Sequence, residues 1–258
     1  RICFGIWNNS CGGYTTLQQG IITIFMLAFG VNFNAYYFLL GKDKKQAFRM
    51  EEVRGYFLIV AVSILLITIN IRGLFHSLPE SFHHAAFQVA SIITTTGYST
   101  ENFDLWPMFS KMILILLMFW GACAGGIKVS RILILLKAVR TEIRHYMHPR
   151  AVTTMKMDGK AIDKSIFRGV LVYLAAYAFL FAVSVLILSL DPTQSFATDF
   201  TAVAATFNNI GKGGTVSSSD SFPWAYCVPF QKWNPVFVCP ITVLPVFIEY
   251  HFAGFLIP

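Results

Sequence analysis

Three stretches of this chain, Ile21–Leu40, Tyr56–Ile71 and Val170–Leu190, run without one charged side chain. A helix needs roughly 20 apolar residues to cross the ~30 Å hydrocarbon core of a bilayer, so each approaches or reaches the length of a membrane span. Met112–Ile127 is as clean but shorter. Arg1–Asn9 has neither the apolar core nor the small-residue cleavage site of a removed leader. The composition agrees with a life in lipid: 55% of residues are hydrophobic and 13% charged, with a mean hydropathy of +0.60, unlike a soluble domain. The pattern predicts an all-α polytopic membrane protein.

A formal charge of +7 invites a nucleic-acid reading, and the placement of the basic residues argues against it. Of 20 Lys and Arg, five lie in Lys42–Arg54 and ten in Lys128–Arg168, whereas Ile71–Ser110 contains Arg72 alone. Basic loops stay on the cytoplasmic side, so both loops are expected inside, with membrane lipid and not nucleic acid as the partner. The run "RTEIRHYMHPR" then reads as a solvated helical end. The five cysteines, at 3, 11, 123, 227 and 239, form no CxxC and no His/Cys ligand spacing, and are read as small buried residues.

With both basic loops inside, Tyr56–Ile71 leads outward and Met112–Ile127 returns. Between them lies "HSLPESFHHAAFQVASIITTTGYSTENF", too polar to span and too apolar for a free loop. A re-entrant half-helix fits, because irregular backbone at membrane depth is tolerated only where protein or a water-filled path surrounds it. Ser77, Pro79 and Glu80 have the spacing of a capped helix start. The same order recurs: "RGYFLIVAVSILL" from Arg54 matches "RGVLVYLAAYAFL" from Arg168, a shift of 114, and "SFHHAAFQVASIITTTG" from Ser81 matches "SFATDFTAVAATFNNIG" from Ser195 at the same shift. Ser81/Ser195, Phe82/Phe196, Val89/Val203, Ala90/Ala204 and Gly97/Gly211 are identical pairs without a gap. A third, partial copy is suggested by "SCGGYTT" at Ser10–Thr16 beside "TTTGYST" at Thr94–Thr100. Each copy is a helix out, a half-helix in, a polar turn and a helix back, and copies of the same orientation can surround an axis along the membrane normal.

A half-helix entering from outside aims its carbonyl end, the negative end of its dipole, at that axis. The turn beyond it can line the axis with carbonyls that replace the hydration shell of an alkali ion. Gly13, Gly97 and Gly211 are expected to supply positive-φ backbone, and Thr94, Thr95 and Thr96 add hydroxyls without charge, unlike the carboxylates that Ca²⁺ or Mg²⁺ sites recruit. His83 and His84 have no third ligand in the sequence pattern, so an interfacial role is expected of them instead of a metal site.

"FQVASIITTTGYSTENFDLWP", "GIKVSRILILLKAVRTEIRHYMHPRAV" and "FTAVAATFNNIG" together resemble the TrkH/KtrB family of bacterial potassium-uptake subunits, within the Trk/Ktr/HKT superfamily. The resemblance covers about Gly12 to Gly211. It implies repeated helix–re-entrant pore loop–helix units around a pore axis in the bacterial inner membrane, potassium as the transported substrate with no organic cofactor, a homodimer, and a cytosolic nucleotide-binding partner of the TrkA/KtrA kind. By position it assigns the ion filter to Cys11, Gly12 and Gly13, to Thr95, Thr96 and Gly97, and to Asn209, Ile210 and Gly211. The corresponding organisation is a partial pore repeat over 1–50, a complete one over 51–150, a following repeat over 151–211, and a divergent tail over 212–258. Departures are visible. Family members carry four repeats, where this chain has three turns. Cys11 stands where threonine is expected, and Pro223, Pro229, Pro235, Pro240 and Pro245 punctuate the tail at a spacing helices reject. On these grounds this chain alone is expected to be a fragment and a poor transporter.

"GACAGGIK", Gly121–Lys128, interrupts the returning apolar run with three glycines and a lysine, and each interior glycine weakens a helix by about 1 kcal/mol relative to alanine. The resemblance makes Gly121, Gly125, Gly126 and Lys128 an intramembrane gate, four residues shorter than in relatives. The competing reading is close helix packing with Lys128 snorkelling to the interface. A non-transporting scaffold or inactive homologue is the alternative function. A membrane-embedded enzyme using Cys123 or the histidines is more distant, because HExxH, GxSxG and Walker motifs are absent.

Overall fold

The charge-free runs fold as helices, but only two of them stay straight. The computed structural model describes residues 11–41, 49–75, 77–121, 127–148, 156–157, 160–161, 164–190, 196–208 and 210. In chain order the helices are α1 (Thr16–Phe29), α2 (Phe33–Leu40), α3 (Glu51–Ile71), α4 (Leu78–Ile93), α5 (Met108–Phe119), α6 (Val129–Met147), α7 (Lys164–Leu188) and α8 (Phe196–Phe207). The strands among the described residues are one two-residue ladder, β1 (Lys156–Met157) against β2 (Lys160–Ala161), in the basic loop before α7. The fold is all-α and polytopic. α3 and the Ser165–Leu188 part of α7 are long and apolar enough to cross a membrane. Their exposed residues, such as Phe57, Leu58, Leu65, Leu66 and Ile69 on α3 and Val172, Phe179 and Leu186 on α7, are the kind that contact lipid.

The run Ile21–Leu40 is broken where a straight span was expected. α1 and the Asn34–Leu40 part of α2 meet at a bend of 97°. Gly30 ends α1 with its N–H returned to Met26 and Ala28, and the Asn32 side chain accepts the Asn34 N–H at 3.0 Å to start α2. Gly30 has a further reason to lack a side chain: a Cβ there would lie 2.4 Å from the Tyr56 hydroxyl oxygen and 2.8 Å from a Thr94 methyl carbon. The bend is thus seated against α3 and against the end of α4.

α5 likewise stops at Phe119, inside the Met112–Ile127 run. Trp120 N–H turns back to the Leu117 carbonyl, and Ile127 N–H reaches the Phe119 carbonyl at 2.9 Å, which puts Ile127 beside the end of α5. Lys128, at φ +43°, then starts α6. Midway along its length α6 is tied to the start of α3 by the Lys137–Glu51 ion pair.

α4 is the element the others enclose. Ser77 caps it by accepting the Glu80 N–H at 3.4 Å, Pro79 sits in its first turn, and Glu80 lies at the positive end of the helix dipole. Sixteen residues at about 1.5 Å each give a rod too short to span the membrane. α1, α3 and α5 pack around it, and Ala85 and every residue from Phe87 to Ile93 are buried. Its Val89, Ile92 and Ile93 join Ile64, Ile67 and Ile71 of α3 and Leu114, Leu117 and Met118 of α5 in one core, which also takes Ala204 and Ile210. This is a re-entrant half-helix surrounded by protein.

Gly30→Ala forces the Tyr56 ring or the Thr94 methyl aside. Overpacking of this size costs about 1–3 kcal/mol, so the variant should unfold at lower temperature in detergent, and adding Tyr56→Phe should recover part of the loss. Equal melting of Gly30→Ala and wild type, measured by intrinsic fluorescence, would show that the contact is not tight.

Candidate functional site

A helix that ends among buried side chains must place its last carbonyls without water. α4 does so with a paired turn: Thr95 N–H donates to the Ile92 carbonyl at 3.1 Å and Thr96 N–H to the Ser91 carbonyl at 2.9 Å. These are the two bonds of a Schellman end, which requires a left-handed residue between them. That residue is Thr95, at φ +56°. A β-branched residue there is strained, by about 1–3 kcal/mol, and such strain gathers at functional sites. Gly97 takes the second positive φ, +76°, as its sequence position led one to expect.

The segment beyond Gly97 runs back along α4 and is pinned at each step. Ser91 Oγ donates to the Tyr98 carbonyl at 2.6 Å, His84 Nδ1 meets Thr100 Oγ1 at 2.9 Å, and the Ser99 carbonyl accepts the Cys11 N–H at 2.9 Å. Thr94 Oγ1 donates to the Ala90 carbonyl at 2.7 Å, so Thr96 is the donor in the Thr94–Thr96 hydroxyl contact. Among the described residues no hydrogen bond ends on the carbonyls of Thr94, Thr95, Thr96 or Gly97. Four successive backbone oxygens at the negative end of a buried helix dipole form a place where a cation is favoured.

The end of α8 repeats this construction at the same shift of 114. Asn208 N–H donates to the Ala204 carbonyl at 3.2 Å as Thr94 N–H does to Ala90 at 3.1 Å, and Ile210 N–H donates to Ala205 at 2.8 Å as Thr96 does to Ser91. The side chains follow suit: Asn208 Nδ2 reaches the Ala204 carbonyl at 2.8 Å where Thr94 Oγ1 reaches Ala90. Asn208 is fully buried and its Oδ1 accepts from the Tyr177 hydroxyl at 2.7 Å. Ile210 is buried in the core that holds α4, whereas Asn209 and Gly211 lie outside the described residues.

The amino-terminal turn differs. Cys11 is buried beside Phe87 and Ala90 of α4, and Tyr14 N–H donates to its carbonyl at 3.2 Å. Gly12 and Gly13 are exposed. Gly13 does not take positive φ, contrary to expectation, because the chain turns directly into α1, whose start is closed by a reciprocal Thr15–Gln18 capping box. Among the described residues no three His, Cys, Asp or Glu side chains gather. His83 bonds Gln19, and His84 bonds Thr100 and stacks on Phe75. Of the residues expected at a gate, Gly121 is buried and Lys128 half-buried, with Arg131 one turn on lying 3.9 Å over the Tyr173 ring. Gly125 and Gly126 lie outside the described residues, as does residue 212 onward.

A family model described as "TrkH: Cation transport protein" matches residues 4–225. The chain belongs to the TrkH family. The match extends beyond Gly12–Gly211 at both ends, and at the carboxyl end it enters the 212–258 stretch that was expected to be divergent. Relatives include the Trk system potassium uptake proteins TrkH of Salmonella typhimurium, 36% identical over 83% of this chain and 45% of its own length, and TrkG of Escherichia coli, 32% identical over 84% and 48%. The crystal structure of the potassium transporter TrkH from Vibrio parahaemolyticus superposes with a TM-score of 0.79 at 29% identity, covering 96% of this chain and 53% of that one. The chain spans about half the length of the relatives it matches. Those relatives are named as potassium uptake proteins, and the two helices among the described residues that are long and apolar enough to cross a membrane fit a multi-pass membrane protein of that family.

The sequence pattern named Thr94 only as one of three hydroxyls and did not single out Asn208, yet these two carry the matching side-chain bonds. Reading the repeat one column earlier would have found them, since both are short polar residues closing a half-helix. Gln19 and Tyr177 had no such signal.

Two outcomes follow for this TrkH-family chain. Tyr177→Phe leaves Asn208 Oδ1 buried without its donor, at a cost of about 1–3 kcal/mol, and should lower the melting temperature of the purified protein, with Asn208→Leu in the same background costing less than the two losses added. Gly97→Ala places a Cβ at positive φ, at about 1 kcal/mol or more, and should lower K⁺ over Na⁺ discrimination in flux assays more than it lowers membrane expression.

Proposed function

We propose that this protein forms the ion path of a potassium-uptake system in the bacterial inner membrane, with K⁺ as substrate and no organic cofactor. One observation carries the reading: two half-helices, α4 and α8, end in matching hydrogen bonds at the same sequence shift, and the first of them presents a run of carbonyls with no donor among the described residues. Uncharged hydroxyls and carbonyls suit a weakly held monovalent ion, and the relatives named as potassium uptake proteins support K⁺ among such ions. In this reading Gly12, Gly13, Thr95, Thr96, Gly97, Asn209, Ile210 and Gly211 contribute to the filter, in units spanning 1–50, 51–150 and 151–211. The interruption between Phe119 and Val129, with Gly121 and Lys128 at its edges, serves as the gate. The same family resemblance supports a homodimer and a cytosolic nucleotide-binding partner, which would meet the end of α6 where Arg140 and Arg144 are exposed.

Expression of the gene product in a bacterium lacking potassium uptake should restore growth at low K⁺, and Rb⁺ uptake should be competed by K⁺ and not by Na⁺. Absence of both, with the protein shown to be in the membrane, would refute the reading.

A further inference from the structure

Gln19 stands one turn into α1, just past the Cys11–Tyr14 turn, and it is 6% exposed although its amide is polar. Its Nε2 donates to the Cys11 carbonyl at 2.8 Å and to the Tyr14 carbonyl at 3.1 Å. Its Oε1 lies 2.7 Å from His83 Nε2 on α4. Both amide protons are committed, so Oε1 must accept, and His83 must carry its proton on Nε2.

The Cys11 carbonyl also receives the Tyr14 N–H at 3.2 Å. A carbonyl oxygen has two lone pairs, and both are occupied. Cys11 therefore cannot give a backbone oxygen to an ion on the same terms as the carbonyls of Thr94–Gly97, which have no donor among the described residues. Cys11 is the position the family resemblance placed in the filter. Its N–H is used as well, by the Ser99 carbonyl at 2.9 Å. What the amino-terminal turn has left is the pair of exposed glycines, Gly12 and Gly13.

We propose that Gln19, held by His83, is a positioning residue that draws the Cys11 and Tyr14 carbonyls away from the ion path. The carbonyls of Gly12 and Gly13 are then the ones that meet K⁺, and Gln19 sets how well this turn rejects Na⁺. The inference rests on the potassium reading above. It also makes the lock a joint between two units, because Gln19 belongs to the amino-terminal turn's helix and His83 to the half-helix of the next unit. In the snug-fit account of selectivity an ion smaller than K⁺ is rejected because the carbonyls cannot close around it, and a turn held from its back by one amide resists closing.

The test uses the full gene product in liposomes, with Rb⁺ and Na⁺ uptake measured in parallel, and the melting temperature of the same preparations in K⁺ and in Na⁺. Gln19→Leu removes every bond, and Gln19→Glu keeps the His83 acceptor while losing both donors. Each should lower the Rb⁺/Na⁺ uptake ratio about tenfold, as expected when buried carbonyls lose their donor, and should shrink the extra thermal protection that K⁺ gives over Na⁺. His83→Leu should lower the ratio too, and His83→Gln, whose amide nitrogen falls near the position of the histidine Nε2, should restore it. A purely structural Gln19 would reduce Rb⁺ and Na⁺ uptake together with the amount of folded protein; an unchanged ratio and unchanged K⁺-specific protection in both Gln19 variants overturns the proposal. A wild-type protein that takes up neither Rb⁺ nor K⁺ overturns the potassium reading itself, and this inference with it.

Discussion

The bond from Thr96 N–H to the Ser91 carbonyl is the constraint on which the rest of the structure depends. A helix may end in water at little cost, but one that ends among buried side chains leaves carbonyls that nothing solvates, each costing several kcal/mol in an apolar setting. The paired turn at the end of α4 satisfies Ser91 and Ile92 from within the chain, and the carbonyls of Thr94 to Gly97 have no donor among the described residues. Its geometry demands a left-handed residue, and the chain accepts a strained threonine there. Glycine would relieve the strain and remove the Thr95 side chain, and with it a restriction on the backbone.

Packing around α4 then has a task other than hydrophobic burial. Lipid tails are as apolar as leucine, so transferring Ile92 or Leu117 from lipid to protein contributes little by itself. What holds α4 is close van der Waals contact with α1, α3 and α5, together with polar bonds unavailable in lipid: Ser91 to Tyr98, His84 to Thr100, His83 to Gln19, Cys11 to Ser99. The break at Gly30 belongs to this arrangement, since only a residue without a side chain lets α1 end against Tyr56 and Thr94. At the break after Phe119, among the described residues, the two sides are joined by a backbone bond from the Ile127 N–H to the Phe119 carbonyl.

Much of this was legible in the residues, and unevenly so. The spans α3 and α7, the capped start of α4 at Ser77 and the 114-residue repeat are one-dimensional signals, read from charge-free length, a helix-start pattern and a matched register. Gly97 was legible because glycine after a half-helix has few other uses. Thr95 was not, because threonine normally avoids positive φ and only the surrounding bonds hold it there. The bend within Ile21–Leu40 escaped notice for a related reason: Gly30 and Asn32 are each compatible with a helix in lipid, and their joint effect depends on what lies beside them.

Composition, run length and repeat register alone determined that this chain is a polytopic helical membrane protein with re-entrant units facing a common axis. These properties depend on the solvent and on periodicity, and both are local to the chain. Which carbonyls remain available to an ion was decided by tertiary structure. Cys11 and Thr95 occupy matching places in the aligned turns, yet the Cys11 carbonyl is taken by Gln19 and Tyr14, while that of Thr95 has no donor among the described residues. A hydrogen bond between residues distant in sequence leaves no periodic trace, and in a low-dielectric interior such a bond sets the chemistry of the oxygen it engages.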